Sequence, residues 1–96
     1  MAKILHLTLY RKWFIQILKG EKKIEYRNIT PYWTKRLFDE FGKPVKYNKI
    51  FFRNGYAKDC PKMMVKVLGI SVENKQYAIQ LGDVLETTDV KGILTN

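Results

Sequence analysis

Residues 20–27, GEKKIEYR, concentrate the side chains of this chain best suited to chemistry. Lys22 and Lys23 precede Glu25 and Arg27 follows it, so a carboxylate stands among cations in a protein with 9 acidic residues against 18 Lys and Arg. A lysine and a carboxylate this close can serve as a proton-transfer pair, and the neighbouring cations can hold an anion. The same residues could instead form an ion-pair network that only neutralises charge on a strand. Glu25 is the informative residue in both readings, because a solvated strand needs no acid among its bases.

The elements in front of this segment are legible as the parts that aim it. Residues 4–10 alternate, with Leu5, Leu7 and Leu9 on one face and Ile4, His6, Thr8 and Tyr10 on the other, which predicts a half-buried strand. His6 then lies on the more polar face, where a structural, cross-strand role is expected. From residue 11 to 19 the period becomes helical: Trp13, Phe14, Ile17 and Leu18 form the apolar stripe, opposed by Arg11, Lys12, Gln16 and Lys19. Lys19 suits the negative end of the helix dipole, and Gly20 can take the left-handed conformation that stops the helix. The chain leaves that turn as a strand with Lys23, Glu25 and Arg27 on one face and Ile24 and Tyr26 on the other. Alternation does not fix Lys22, which is still leaving the turn and can reach round to Glu25.

Thr30 as N-cap and Pro31 at the first helical position open a second helix, in which Trp33 and Leu37 are expected to pack inward. It should end before Gly42 and Pro44, in the basic loop GKPVKYNK. Residues 47–54 predict a strand with Tyr47, Lys49, Phe51 and Arg53 on one face and Ile50 and Phe52 on the other. The first face interleaves rings with cations, as surfaces that bind single-stranded nucleic acid do; alternatively Phe51 belongs to the core and the lysines only cover it. After a turn at Asn54 and Gly55, the polar loop through Cys60 is expected to be exposed. Residues 63–73 predict a strand with a bulge or bend at Gly69, a turn at Asn74 and Lys75 leads to a strand over 77–81, and Val84 and Leu85 form a possible last one. Five strands with two short helices inserted early predict a single α+β domain over residues 1–96, a small, mostly antiparallel β-barrel.

Composition narrows the partners. Residues 1–62 hold 15 Lys and Arg against 5 acidic residues, whereas residues 63–96 hold 3 against 4, so the net charge of +9 resides in the first two thirds. Such a field attracts polyanions, with RNA or DNA first, although many small basic proteins bind nothing specific. The single Cys60 has no second cysteine for a disulfide and no histidine cluster for zinc, so no metal or other cofactor is expected. No stretch reads as a signal peptide or membrane span, which predicts a cytoplasmic protein, monomeric or a small homo-oligomer.

Gly20, Lys22, Glu25 and Arg27 match the GxKxxExR signature of the ASCH domain, a small β-barrel of the PUA-like superfamily. The surroundings are also similar to those of small stand-alone ASCH proteins: a strand and a short helix run into the signature, PYWTKRL follows it, and FRNGY comes later on a strand. The resemblance covers most of residues 3–86. It implies a cleft beside the first helix and a role in RNA binding or metabolism, with Gly20 allowing close approach, Arg27 binding phosphate or holding Glu25, and Lys22 contacting phosphate or activating a nucleophile. Lys23 adds a basic group, and the FRNGY match makes Arg53, Asn54 and Tyr56 the opposite wall. Some ASCH proteins are amidohydrolases acting on N4-acetylcytidine, with a lysine at the position of Lys22 and a threonine at that of Glu25; others are described as ribonucleases. A glutamate lacks the threonine hydroxyl but can act as general base for water, so the resemblance implies either a binder of single-stranded RNA or a modified nucleoside, or an enzyme with Lys22 and Glu25 as its catalytic pair.

Overall fold

Asn74 and Lys75 both take positive φ, 48° and 63°, the backbone of a two-residue turn whose twist matches the strands it joins. They connect the two longest elements of the chain, strands β4 (Lys62–Glu73) and β5 (Gln76–Thr88). The computed structural model describes residues 3–94, and the remaining elements in chain order are β1 (Ile4–Thr8), α1 (Arg11–Leu18), β2 (Ile24–Asn28), α2 (Pro31–Leu37), β3 (Lys49–Arg53) and α3 (Lys91–Leu94).

The strands form one sheet in the order β1-β3-β4-β5-β2. β1 is parallel to β3, and every other pairing is antiparallel. β3 pairs with β4 over Lys62 to Lys66, whereas β2 pairs with β5 over Gln76 to Gln80, so the long hairpin carries one edge of the sheet near each of its ends. Between these zones the β4–β5 register shifts three times from Met64 to Gly69, and each added residue raises the local twist. The result is a small α+β fold with a five-stranded sheet curled into a half-barrel and three short helices. The expected barrel is thus corrected to an open one: β1 and β2 are the sheet's two edges. Its concave side is already filled by helices, since Phe14 and Ile17 of α1 and Leu37 of α2 share one buried cluster with Leu5, Leu7, Phe52, Val65 and Ile79. Further curling to join the edges would expel them.

Other departures follow from packing that local patterns do not record. Val84 and Leu85 are the middle of β5, not a separate strand. The tail forms α3, whose Ile93 is buried against the same core. Cys60 is buried, its thiol 3.6 Å from the Gly55 carbonyl, because the loop after β3 folds back beneath itself. On β3, Ile50 and Phe52 are fully buried, and Phe51 lies half-buried on the other face against His6, 5.5 Å between ring centres. Tyr47 donates its hydroxyl hydrogen bond to the Arg36 carbonyl at 2.7 Å, and burial pushes its phenol pKa up, with Arg36 opposing.

Candidate functional site

The site begins at the end of α1. Gly20 takes φ +78° and donates to the Ile17 carbonyl at 3.0 Å, while Glu21 donates to the Gln16 carbonyl at 2.9 Å. These are the two hydrogen bonds of a Schellman motif, which needs a left-handed residue after the cap. Lys22 donates to the same Gln16 carbonyl at 3.1 Å, so the residue after the turn is also held. Gly20→Ala is expected to lower stability by about 1 kcal/mol through its positive φ, read as a reduced urea midpoint with unchanged slope. No loss would show that the turn is not strained by a side chain.

Held in this way, Lys22 reaches round to Glu25, its Nζ 3.6 Å from Oε1, and also lies 5.0 Å from the Trp13 ring centre and 5.6 Å from that of Tyr26. Glu25 is 6% exposed, the one charged residue in the buried set among the described residues. Its Oε2 accepts from Arg27 Nε at 3.1 Å and pairs with Nη2 at 2.9 Å, a side-on contact of the planar guanidinium with one carboxylate oxygen. Arg27 in turn stacks over Trp33, 4.9 Å from its ring centre. Trp33 is placed by α2, which the Thr30 hydroxyl caps by accepting from Trp33 N at 3.3 Å, and which a Thr34 to Tyr77 hydroxyl hydrogen bond fixes to β5. The sequence-predicted cap and proline are both present.

These side chains border a cleft of about 680 Å3, at the side of the half-barrel where the end of β1 faces β2. Tyr10, Arg11 and Trp13 line one wall, β2 from Glu25 to Asn28 another, and Thr30 and Trp33 a third. Asn54, Gly55 and Tyr56 complete it, with Asn54 anchored by donating from Nδ2 to the Leu9 carbonyl at 3.0 Å. Since β2 is an edge strand, side chains of both its faces reach the cleft. Arg11, Lys22 and Arg27 set three cations against Glu25, and Arg11 has no carboxylate within ion-pair distance among the described residues. A cleft of this size with ring walls and a few fixed charges suits a small, planar, anionic ligand.

Of the residues singled out from sequence, Glu25, Arg27, Asn54 and Tyr56 line the cleft, Lys22 flanks it through Glu25, and Gly20 shapes the turn behind it. Two are not brought there. Lys23 precedes β2 and is exposed, with its Nζ over the Gly20 turn, because strand alternation starts only at Ile24. Arg53 faces away from the buried Ile50 and Phe52 and does not line the cleft, so it belongs to the outer face of β3. Tyr10, Arg11, Trp13 and Trp33 were not singled out as site residues. Trp13 and Trp33 are absorbed by helical periodicity into inward stripes, and Tyr10 and Arg11 read as ordinary polar-face residues, so the only signal is a ring beside a cation at a helix start.

Comparison with protein families, with curated proteins and with solved structures finds no match to this chain. Among the described residues, no three His, Cys, Asp or Glu side chains gather as they would around a metal ion, and no helix is long and apolar enough to cross a membrane.

Proposed function

We propose that this chain is an ASCH-type module that binds a nucleotide, or the unstacked end of a single-stranded RNA, in the cleft around Lys22, Glu25 and Arg27. One observation carries the reading: a cleft of nucleotide size is walled by Trp13 and Trp33 and lined by Arg11 and Arg27, with Lys22 beside the one carboxylate, which Arg27 already neutralises. Rings accept the face of any base, and the cations accept phosphate. The GxKxxExR match to the ASCH family agrees with this placement.

The test is a salt titration of binding to a fluorescent short oligoribonucleotide. Affinity should fall linearly on logarithmic axes, and Lys22→Ala should flatten the slope by about 0.7, the amount for one phosphate contact on a single strand. Salt-independent binding, or an unchanged slope in the variant, would argue against the reading.

Catalysis is the second reading, and it rests on Glu25 Oε1, which accepts no hydrogen bond among the described residues and has Lys22 Nζ at 3.6 Å. That oxygen could take a proton from water attacking an acylated cytidine. Arg27 already engages the other oxygen through Nε and Nη2, and a carboxylate fixed in such a pair favours holding over cutting. Turnover of acylated cytidines or short RNA that disappears in Glu25→Gln would establish the enzyme; no wild-type turnover would leave the binder.

A further inference from the structure

The outer face of the sheet carries a second pattern, away from the cleft. Outward residues of β1, β3 and β4 fall into rows because the strands are in register: His6 stands beside Phe51 and Phe51 beside Met64. His6 and Phe51 touch, with ring centres 5.5 Å apart and planes at 55°. On one side of this row Lys49 stands beside Lys66, and on the other Arg53 stands beside Lys62. Alternation separates neighbouring rows by about 7 Å along the strands. A strip of rings and thioether therefore runs between two rows of cations, and the acid that pairs into it is Glu86, at its β5 end.

Two further features mark this face as unfinished. Neither Lys49, Lys66 nor Arg53 has a carboxylate within ion-pair distance among the described residues, and Lys62 is held by the Lys58 and Cys60 carbonyls rather than by an acid. Arg53 Nε is buried without a hydrogen-bond partner, an arrangement that costs free energy unless the guanidinium is engaged elsewhere. Charge alone would serve any polyanion. The ring row between the charges selects one with accessible base faces, because a duplex keeps its bases stacked inside and offers only phosphates.

We propose that the outer face of β1, β3 and β4 binds single-stranded nucleic acid, with a base on Phe51 and His6 and the backbone along the Lys49–Lys66 and Arg53–Lys62 rows. This surface borders the cleft at Thr8, which pairs with Arg53, but none of its rings or cations lines the cleft, and it does not depend on the cleft's ligand. Lys49, Arg53 and Lys62 belong to the basic first two thirds of the chain, and this surface gives them a use that the cleft leaves open.

The experiment compares a fluorescent oligouridylate of about ten nucleotides, an RNA duplex of the same length, and uridine monophosphate as a probe of the cleft alone. Phe51→Leu keeps apolar cover over His6 but removes the aromatic face, and should weaken the single strand about tenfold. Lys49→Glu with Lys66→Glu should weaken it at least as much and flatten the salt slope by about 1.4. Monophosphate binding should be unaltered in both variants, and the duplex should bind the wild type more weakly than the strand. Strand affinity unchanged in both variants, or equal affinity for duplex and strand, overturns the proposal. If Lys22→Ala alone removes strand binding, the outer face is wrong and the cleft stands; if the monophosphate fails to bind while strand binding follows Phe51, the cleft is wrong and the outer face stands.

Discussion

Arg27→Ala is expected to lower the stability of this protein by about 3 kcal/mol and to abolish nucleotide binding in the cleft. The mutation removes both contacts to Glu25 Oε2 and leaves a carboxylate that is 6% exposed with only Lys22, 3.6 Å from its other oxygen. A buried charge that loses its partner costs more than the pair contributed, and the cleft's access to water places this case at the low end of the usual range. Glu25→Ala should cost less, about 1 to 2 kcal/mol, because the Arg27 side chain is 21% exposed and can turn to water while remaining on Trp33. Replacing both, Glu25→Leu with Arg27→Met, should return stability close to that of the wild type, since apolar residues of similar volume carry no desolvation cost. It should not restore binding. Urea unfolding of the four proteins separates the two effects. An Arg27→Ala protein within about 1 kcal/mol of the wild type would mean that water in the cleft solvates Glu25 and that the pair is not structural.

Around this pair the sequence is most legible. Gly20, the strand after it and the shared face of Glu25 and Arg27 all follow from spacing within eight residues, where chain geometry leaves few options, whereas the direction of Lys22 is fixed only by the Gln16 carbonyl that holds its backbone. The Thr30 cap, the Asn74–Lys75 turn and the bend near Gly69 are equally local. What failed was long-range. The FRNGY resemblance puts Arg53 and Asn54 on one wall, yet the alternation already legible in β3 keeps Arg53 on the outer face, and only the turn beyond β3 brings Asn54 into the cleft. Cys60 was assigned to a polar exposed loop, and only the fold-back of that loop buries it. Five strands, two early helices and a glycine break predict a barrel, but three helical side chains occupy the space that closure would require. Trp13 shows the limit most clearly. Its spacing places it in the apolar stripe with Phe14 and Ile17, and a ring at the border of a stripe can face either way; here it is 37% exposed in the cleft wall.

Trp13→Ala should therefore weaken nucleotide binding by about 30-fold, near 2 kcal/mol, while lowering stability by less than about 1 kcal/mol. The ring lies under two ammonium groups, Lys12 at 4.8 Å and Lys22 at 5.0 Å, so it holds the lysine that faces Glu25 as well as offering a face to a base. Removing it lets Lys22 move, and the loss of affinity combines lost stacking with a displaced cation. Trp13→Phe keeps an aromatic face and should recover most of the affinity. The chain has 2 tryptophans, and both line the cleft, so intrinsic fluorescence reports on the site without a label. Titration with uridine monophosphate should quench wild-type emission, and the Trp13→Ala protein should retain a smaller quench from Trp33 alone, at correspondingly higher ligand. Saturable nucleotide binding by calorimetry with no change in tryptophan emission would place the ligand outside this cleft, since a base between Trp13 and Trp33 cannot leave both rings unperturbed.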